Sequence, residues 1–389
     1  MINKPPRIYI SAGEASGDMH AAGLAEELRK LHPDIVMTGM GGDKMRTAGV
    51  EIIEDYRDYS VMGFGGVIAN LYRFKKLLDR TVKHIRGNDI SLVIIVDYSG
   101  FNLRLAKAIH PLGIKVIYFI SPQVWAWRTG RVNDIRKYTE KMITIFPFEK
   151  EFYKQHGVDV EYVGHPLVER IPLLNEHQRA EKKISLLHSR GIDNNSPTLG
   201  LFPGSRKQEV EKILPTMLRT ASLLAKDITG LKTIIALSSN VNIDEFENTS
   251  SFRTVNPVII KRNSSDVLFA SDAALVTSGT TTVEAALHGT PQVVMYKTSL
   301  MTYAIARVMV RVKYIAMVNL IAERRAVPEF IQNDAHPGNL YNALLPLFTD
   351  GTAWQEARNN ALKIRELLGE PGAYARAAGI VSSYFAMII

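Results

Sequence analysis

The chain predicts an α/β protein built from two doubly wound parallel sheets, and three observations carry that prediction. Short apolar runs recur along its 389 residues, as at 92–96 and 273–276, and their unbroken hydrophobicity suits strands buried on both faces. Between them, apolar residues return at helical spacing, as Leu24, Leu28 and Leu31 do. The rhythm pauses once, at Gly164-His165-Pro166 and the charged stretch 175–183, and then starts again. The length of 389 residues suits two domains.

Composition narrows the class. Hydrophobic residues make up 46% of the chain, ample for two cores. No uncharged apolar run reaches the ~18 residues that a membrane-crossing helix needs. Cysteine is absent, and no secretory apolar segment precedes the strand at 8–10, so a cytoplasmic location is expected. A net charge of +8 suits nucleic acid, an anionic membrane surface or phosphorylated substrates. No zinc-knuckle, RNA-recognition or basic-zipper pattern occurs, so nucleic acid is the weakest of the three.

The first half runs in order. A strand at 7–12 leads into Gly13-Glu14-Ala15-Ser16-Gly17-Asp18, a turn with the spacing of a phosphate loop, and then a helix at 22–31. The turn matches neither a Walker motif nor the full dinucleotide fingerprint, and a plain β–α turn would read the same. A second strand, 35–39, follows. Residues 61–85 mix apolar Phe64, Val67, Ile68, Leu71 and Tyr72 with basic Arg73, Lys75 and Lys76. Such a segment can lie in a membrane interface or pack on the sheet as a surface helix. The strand 92–96 ends on Asp97, a carboxylate at the strand terminus where α/β sheets place ligands, though a helix-capping acid fits too. A strand at 115–120 ends in Ser121-Pro122-Gln123-Val124-Trp125-Ala126-Trp127-Arg128, whose tryptophans are costly to expose without purpose. Strands at 141–146 and 160–163 complete the half.

The second half repeats the plan. A strand at 199–202 opens through Pro203-Gly204-Ser205-Arg206 into a helix, and the Arg206 guanidinium could grip a phosphate with its fork of donors. Strands at 233–237 and 258–260 and a short helix at 266–269 lead to the strand at 273–276. Ser278, Gly279 and Thr280 then start a helix, and a strand follows at 292–295. Free N–H groups at that helix start favour an anion by ~0.3–1 kcal/mol per charge, so a diphosphate would sit well. Glu284, on the first turns, can accept two ribose hydroxyls. A βαβ turn with a capping Ser or Thr and a solvated Glu is the alternative. Residues 314–317, read as a strand, precede Val318-Asn319-Leu320, and the clearest late helix is 353–368.

These motifs carry a resemblance. Ser11-Ala12-Gly13-Glu14-Ala15-Ser16-Gly17-Asp18, Val61-Met62-Gly63, Ser121 to Trp127, Phe146-Pro147-Phe148-Glu149, Val163-Gly164-His165-Pro166, Pro203-Gly204-Ser205-Arg206 and Ser278-Gly279-Thr280 resemble the lipid-A-disaccharide synthase family, in order and over nearly the whole chain. The tryptophan block is the most specific. The resemblance implies a GT-B fold, two Rossmann-like domains facing a central cleft. It assigns 1–165 to the acceptor and lipid side, 166–365 to the UDP-sugar, and 366–389 to a helical tail packing back on the N-terminal domain. It implies an inverting transferase that joins UDP-2,3-diacylglucosamine to 2,3-diacylglucosamine 1-phosphate, giving a β-1,6 disaccharide and UDP.

Site residues follow from the same resemblance. Asp97 is the implied general base, because the family often has Asp-x-Pro-Asp-Phe-Asn and this chain has Gly100 at the second acid. Glu14, Ser16, Arg206, Ser278, Gly279, Thr280, Glu284 and Asn319 are the implied substrate contacts. No Asp-x-Asp motif stands out, so neither an obligatory metal nor a cofactor is expected. Lipid substrates and the basic 61–86 segment together predict peripheral association with the cytoplasmic face of the inner membrane, through Phe64, Val67, Ile68, Leu71 and Tyr72, with Arg73, Lys75 and Lys76 at anionic headgroups. The oligomeric state stays open, a homo-oligomer included. UDP-N-acetylglucosamine 2-epimerases share the architecture, but the 61–86 segment and the tryptophan block argue against a small soluble substrate. A non-catalytic binding protein is the third reading, and the joint presence of Asp97, Arg206 and Glu284 speaks against it.

Overall fold

The computed structural model describes residues 5–60, 67–127, 129–238, 241–261, 263–299, 303, 307 and 312–385, and gives backbone alone at 60 and 67–71. The chain divides into two compact units, Met1–Glu169 with Gly369–Ile389, and Arg170–Leu368. Each holds one parallel sheet with helices on both faces, the doubly wound α/β plan expected from the sequence.

In the first unit the strands are β1 Arg7–Ala12, β2 Val36–Gly41, β3 Glu51–Asp55, β4 Leu92–Val96, β5 Lys115–Phe119, β6 Lys141–Thr144 and β7 Val160–Tyr162. They lie in the order β3-β2-β1-β4-β5-β6-β7. Alternation of side chains along a strand explains why the central runs are apolar throughout. Leu92, Ile94 and Val96 join Ile8, Ile10 and Phe119 on one face, while Val93 and Ile95 join Tyr9 and Tyr118 on the other. The first face is covered by the helix Ala15–Leu31 and by the C-terminal helix Ala373–Phe385, through Leu24, Leu28, Ala377 and Val381. A Cβ at Gly23 would lie 2.6 Å from the Tyr374 ring, so a glycine is needed where these two helices cross. The helices Val67–Gly87 and Ser99–Ile109 cover the second face through Leu77, Ile85, Phe101 and Leu105.

The second unit contains β8 Thr198–Phe202, β9 Lys232–Leu237, β10 Val258–Lys261, β11 Ala273–Thr277, β12 Gln292–Tyr296 and β13 Glu329–Ile331. Their order is β10-β9-β8-β11-β12-β13. In both sheets the strand order reverses once, between β1 and β4 and between β8 and β11. Ala12 stands beside Val96 and Phe202 beside Val276, so the loops leaving those pairs are neighbours at the carboxyl edge. That is where open α/β sheets bind ligands.

Three local expectations are corrected. The first helix starts at Ala15 rather than 22, so Ser16, Gly17 and Asp18 form its first turn. The buried Asp18 carboxylate accepts the backbone N–H of Gly42 (2.7 Å), Lys44 (3.2 Å) and Met45 (3.2 Å), and thereby caps the helix Asp43–Thr47. The edge strands β3 and β13 escaped the sequence reading because neither presents a continuous apolar run. Residues 314–317 are not a strand; Ala316 caps a helix, Met317–Ile321. A short apolar run cannot by periodicity alone tell strand from buried helix.

Candidate functional site

The β1/β4 edge gathers Gly13, Glu14, Ser16, Asp97 and Tyr98. A Cβ on Gly13 would meet the Tyr98 ring at 2.1 Å, so only glycine lets the two loops pass. Glu14 is the exposed N-cap residue of the first helix, and Ser16 is exposed in its first turn. Asp97 and Tyr98 take φ values of 44° and 43°, a left-handed conformation costing about 1–3 kcal/mol per residue. A buried network holds them there. Asn102, fully buried, donates through Nδ2 to the carbonyls of Val96 (3.0 Å) and Asp97 (2.9 Å), and its Oδ1 accepts from Ser11 Oγ at 2.6 Å. Tyr118 donates its hydroxyl to the Asp97 carbonyl at 2.8 Å. The strained turn places a half-buried carboxyl at the end of the strand. Burial first, and the charge of Glu14 second, raise the Asp97 carboxyl to about 6, against an opposing backbone hydrogen bond from Tyr98. Such a group is mostly ionised at neutral pH yet basic enough to take a proton.

Asn102 and Tyr118 are absent from the residues singled out in the sequence. Asn102 closes the motif that begins at Asp97, its only signal in the sequence; Tyr118 lies inside an apolar strand and carries none. Gly100 has nothing within 4 Å of a would-be Cβ, so the missing second acid leaves open space rather than a filled position.

The tryptophan block, Phe146–Glu149 and His165 meet in the same unit. Trp125 donates its indole N–H to Glu149 Oε1 at 3.0 Å, and Phe148 meets the Trp125 ring edge-on at 4.9 Å. Phe146 lies 5.8 Å from Phe148 and 5.0 Å from His165. Burial pushes the Glu149 carboxyl up to about 8, a shift that hydrogen bonds from Trp125 and the Phe146 N–H partly offset. Much of this block is therefore packed core, while Trp127 stays 41% exposed.

The β8/β11 edge gathers the other set. Gly204 has φ 105°, and a Cβ there would meet Glu209 Oε2 at 2.6 Å and Thr277 Cγ2 at 3.3 Å. Arg206 is exposed at the N-cap of the helix Lys207–Asp227. Gly279 is the N-cap of the helix Thr280–Leu287, and Gly279 and Thr280 are exposed beside it. Ser278 Oγ donates to the Ile315 carbonyl at 2.9 Å, which turns its hydroxyl proton away from any ligand at the helix start. At the other end of that helix, Arg365 donates to the Leu287 carbonyl (3.0 Å) and Arg179 to the His288 carbonyl. Glu284 is half-buried and accepts from Ser264 Oγ at 3.0 Å.

Asn319 is placed differently from an open site residue. It is fully buried, and its amide bonds to the Val327 carbonyl (3.0 Å), Glu329 Oε2 (3.1 Å) and the Val327 N–H (2.9 Å). Glu329 in turn accepts from the N–H groups of Ile315 (3.3 Å) and Ala316 (2.9 Å). Among the described residues, Asn319 thus connects to Ser278 through Glu329 and Ile315.

In the basic segment, Leu77, Thr81 and Ile85 of the Val67–Gly87 helix are buried, and Phe74 meets Phe101 edge-on at 5.4 Å. Tyr72 is 70% exposed, and Arg73, Lys75 and Lys76 are exposed beside it. Phe64 and the side chains of Val67, Ile68 and Leu71 lie outside the described residues. Among the described residues, no helix is long and apolar enough to cross a membrane.

Comparison with known proteins adds to this geometry. A family profile described as lipid-A-disaccharide synthetase matches residues 8–382. The lipid-A-disaccharide synthase of Myxococcus xanthus is 37% identical over 377 residues, covering 97% of either chain. Among solved structures, a UDP co-structure of Staphylococcus aureus MnaA matches with a TM-score of 0.66 at 11% identity, covering 99% of this chain and 98% of the other. A putative UDP-N-acetylglucosamine 2-epimerase from Listeria monocytogenes matches with a TM-score of 0.64 at 10% identity, covering 98% and 96%. At such identities the two structures share the fold alone.

Proposed function

We propose a residue-level mechanism from one premise: the chain belongs to the lipid-A-disaccharide synthase family. It is a glycosyltransferase of lipid A biosynthesis, taking a UDP-sugar donor and a sugar acceptor. The donor is UDP-2,3-diacylglucosamine, the acceptor is 2,3-diacylglucosamine 1-phosphate, and the products are the β-1,6-linked disaccharide 1-phosphate and UDP.

The observation that carries the mechanism is the Asp97 carboxyl, held at the end of β4 with its affinity for protons raised to about 6. Asp97 accepts the proton of the acceptor 6-hydroxyl as that oxygen attacks the anomeric carbon. The anomeric bond to the diphosphate breaks from the opposite face, and the electron pair leaves with UDP. Negative charge grows on the leaving diphosphate, and the Gly279–Thr280 helix start and the Arg206 guanidinium stabilise it. Ser278 shapes that turn through its bond to the Ile315 carbonyl. Glu284 takes the ribose hydroxyls. Glu14 and Ser16 meet the acceptor from the first helix start, and Glu14 tunes Asp97. Asn319 acts as a positioning residue for the 315–316 backbone rather than as a direct contact. Measuring single-turnover rates and UDP affinity together tests the assignment: in Asp97→Asn turnover should collapse while UDP still binds.

The enzyme further meets its lipid substrates at the cytoplasmic face of the inner membrane, peripherally, with Tyr72 and the neighbouring Phe64, Val67, Ile68 and Leu71 as apolar anchors. Exposed Arg73, Lys75 and Lys76 meet anionic headgroups at ~1 kcal/mol each. The exposed Tyr72, beside exposed Arg73, Lys75 and Lys76 while Phe74, Leu77 and Ile85 pack on the core, supports this reading. A triple Val67→Ser, Ile68→Ser, Leu71→Ser variant should keep its melting temperature and lose co-sedimentation with anionic vesicles. A folded variant that sediments as before ends the docking proposal.

A further inference from the structure

Two successive serines begin the short helix Ser264–Ala270, and each bonds a different side chain of the Thr280–Leu287 helix or its C-cap. Ser265 Oγ lies 3.0 Å from His288 Nε2. Ser264 Oγ donates to Glu284 Oε2 at 3.0 Å. Glu284 and His288 are four residues apart and so share one face of the helix. His288 is nearly buried, and its ring packs edge-on against Phe269 at 4.2 Å, so the Ser265 bond belongs to a packed contact. Glu284 is only half-buried, and its Oε1 accepts no hydrogen bond from the described residues. A long carboxylate side chain that reaches toward solvent loses rotamer freedom when a hydroxyl holds one of its oxygens.

We infer that Ser264 is a positioning residue for nucleoside recognition: its hydroxyl fixes Glu284 Oε2 so that Oε1 is presented, pre-oriented, to a ribose hydroxyl. The inference rests on the reading that Glu284 takes the ribose. A carboxylate with one oxygen clamped accepts from a diol in one geometry, whereas a freely rotating one accepts indifferently and at an entropic cost. Ser264 therefore sets the preference for ribose over deoxyribose without itself touching the ligand.

The experiment titrates UDP, 2′-deoxy-UDP and 3′-deoxy-UDP into the full-length protein and its Ser264→Ala, Ser264→Thr and Ser265→Ala variants by calorimetry, with melting temperatures alongside. A hydrogen bond to a charged group corresponds to a preference of roughly ten-fold or more, so the wild type should favour UDP over at least one deoxy analogue by that ratio. In Ser264→Ala the ratio should shrink to within about two-fold, while Ser264→Thr restores it and Ser265→Ala leaves it intact. A Ser264→Ala protein that keeps the wild-type ratio overturns the role of Ser264 and leaves the ribose reading standing. A wild type that does not discriminate, together with Glu284→Gln binding UDP normally, overturns the ribose reading and the inference with it. Equal loss of the ratio in Ser265→Ala assigns the effect to packing of the two helices and also overturns it.

Discussion

The two sheet edges are built alike and, in the proposed mechanism, work by opposite means. At the β1/β4 edge the proposed functional group is a side chain, Asp97, forced into a left-handed backbone and held by buried Asn102 and Tyr118. At the β8/β11 edge the proposed functional groups include backbone N–H donors at a helix start, where Gly279 and Thr280 add no charge of their own. A proton acceptor must have a tuned affinity, so its edge is partly buried and strained. A diphosphate site needs only oriented donors and a cation, so its edge is open. In the proposed mechanism the same doubly wound frame thus yields a base on one sheet and an anion cradle on the other.

Removing the base should break this contrast most severely. In Asp97→Asn, kcat should fall by about 10²–10⁴-fold, with UDP affinity unchanged in calorimetry. The same variant should melt higher at neutral pH. A carboxyl whose folded affinity for protons is raised contributes stability below its unfolded value and loses it as pH rises through about 6. A melting temperature that drops with the activity would mean that Asp97 is structural. Next in size, Asn102→Ala removes a donor from the carbonyls of Ser11, Val96 and Asp97 and the acceptor of the Ser11 hydroxyl. It should cost about 1–3 kcal/mol in denaturant unfolding and lower kcat more than it raises KM.

On the other edge, Arg206→Ala should weaken UDP binding roughly ten-fold, the scale of one charge-assisted contact, and leave the pH profile where it was. A displaced acid limb would show that the two edges are not separable. Glu14→Gln sharpens the comparison from the first edge. Its charge raises the Asp97 carboxyl, so removing it should move the acid limb of kcat/KM, expected near pH 6 in the wild type, to lower pH. The smallest effect belongs to Gly100→Asp. Nothing lies within 4 Å of a Cβ there, and an acid in a first helical turn is favourable, so kcat should stay within about two-fold. A large gain would show that the open space is a lost catalytic position.

Legibility followed the same division. The central strands were plain because parallel burial makes them continuously apolar, and Asp97, Arg206 and Glu284 stood at strand ends or helix starts that the pattern locates. β3 and β13 were hidden because edge strands need no such run. Asn319 was legible as a motif residue but not as a buried one, since only the fold reveals that Val327 and Glu329 consume its amide. Asn102 and Tyr118 were illegible as supports because their partners are backbone carbonyls, which sequence does not display. Much of the tryptophan block looked like a surface and proved to be packing, because Glu149 waits 24 residues further on to receive the Trp125 indole.

The Thr280–Leu287 helix carries arginines on its final carbonyls, Arg365 from the helix Gly351–Leu367 and Arg179 from the helix Glu176–Ser189. An anion at its start and these cations at its end act on a single peptide dipole. Occupation of one end therefore strengthens the grip at the other, and thermodynamic linkage makes the coupling reciprocal. Loading with UDP should slow amide hydrogen exchange in 176–189 and 351–367, far along the chain from the phosphates. Loosening either arginine should in turn be felt as weaker nucleotide retention.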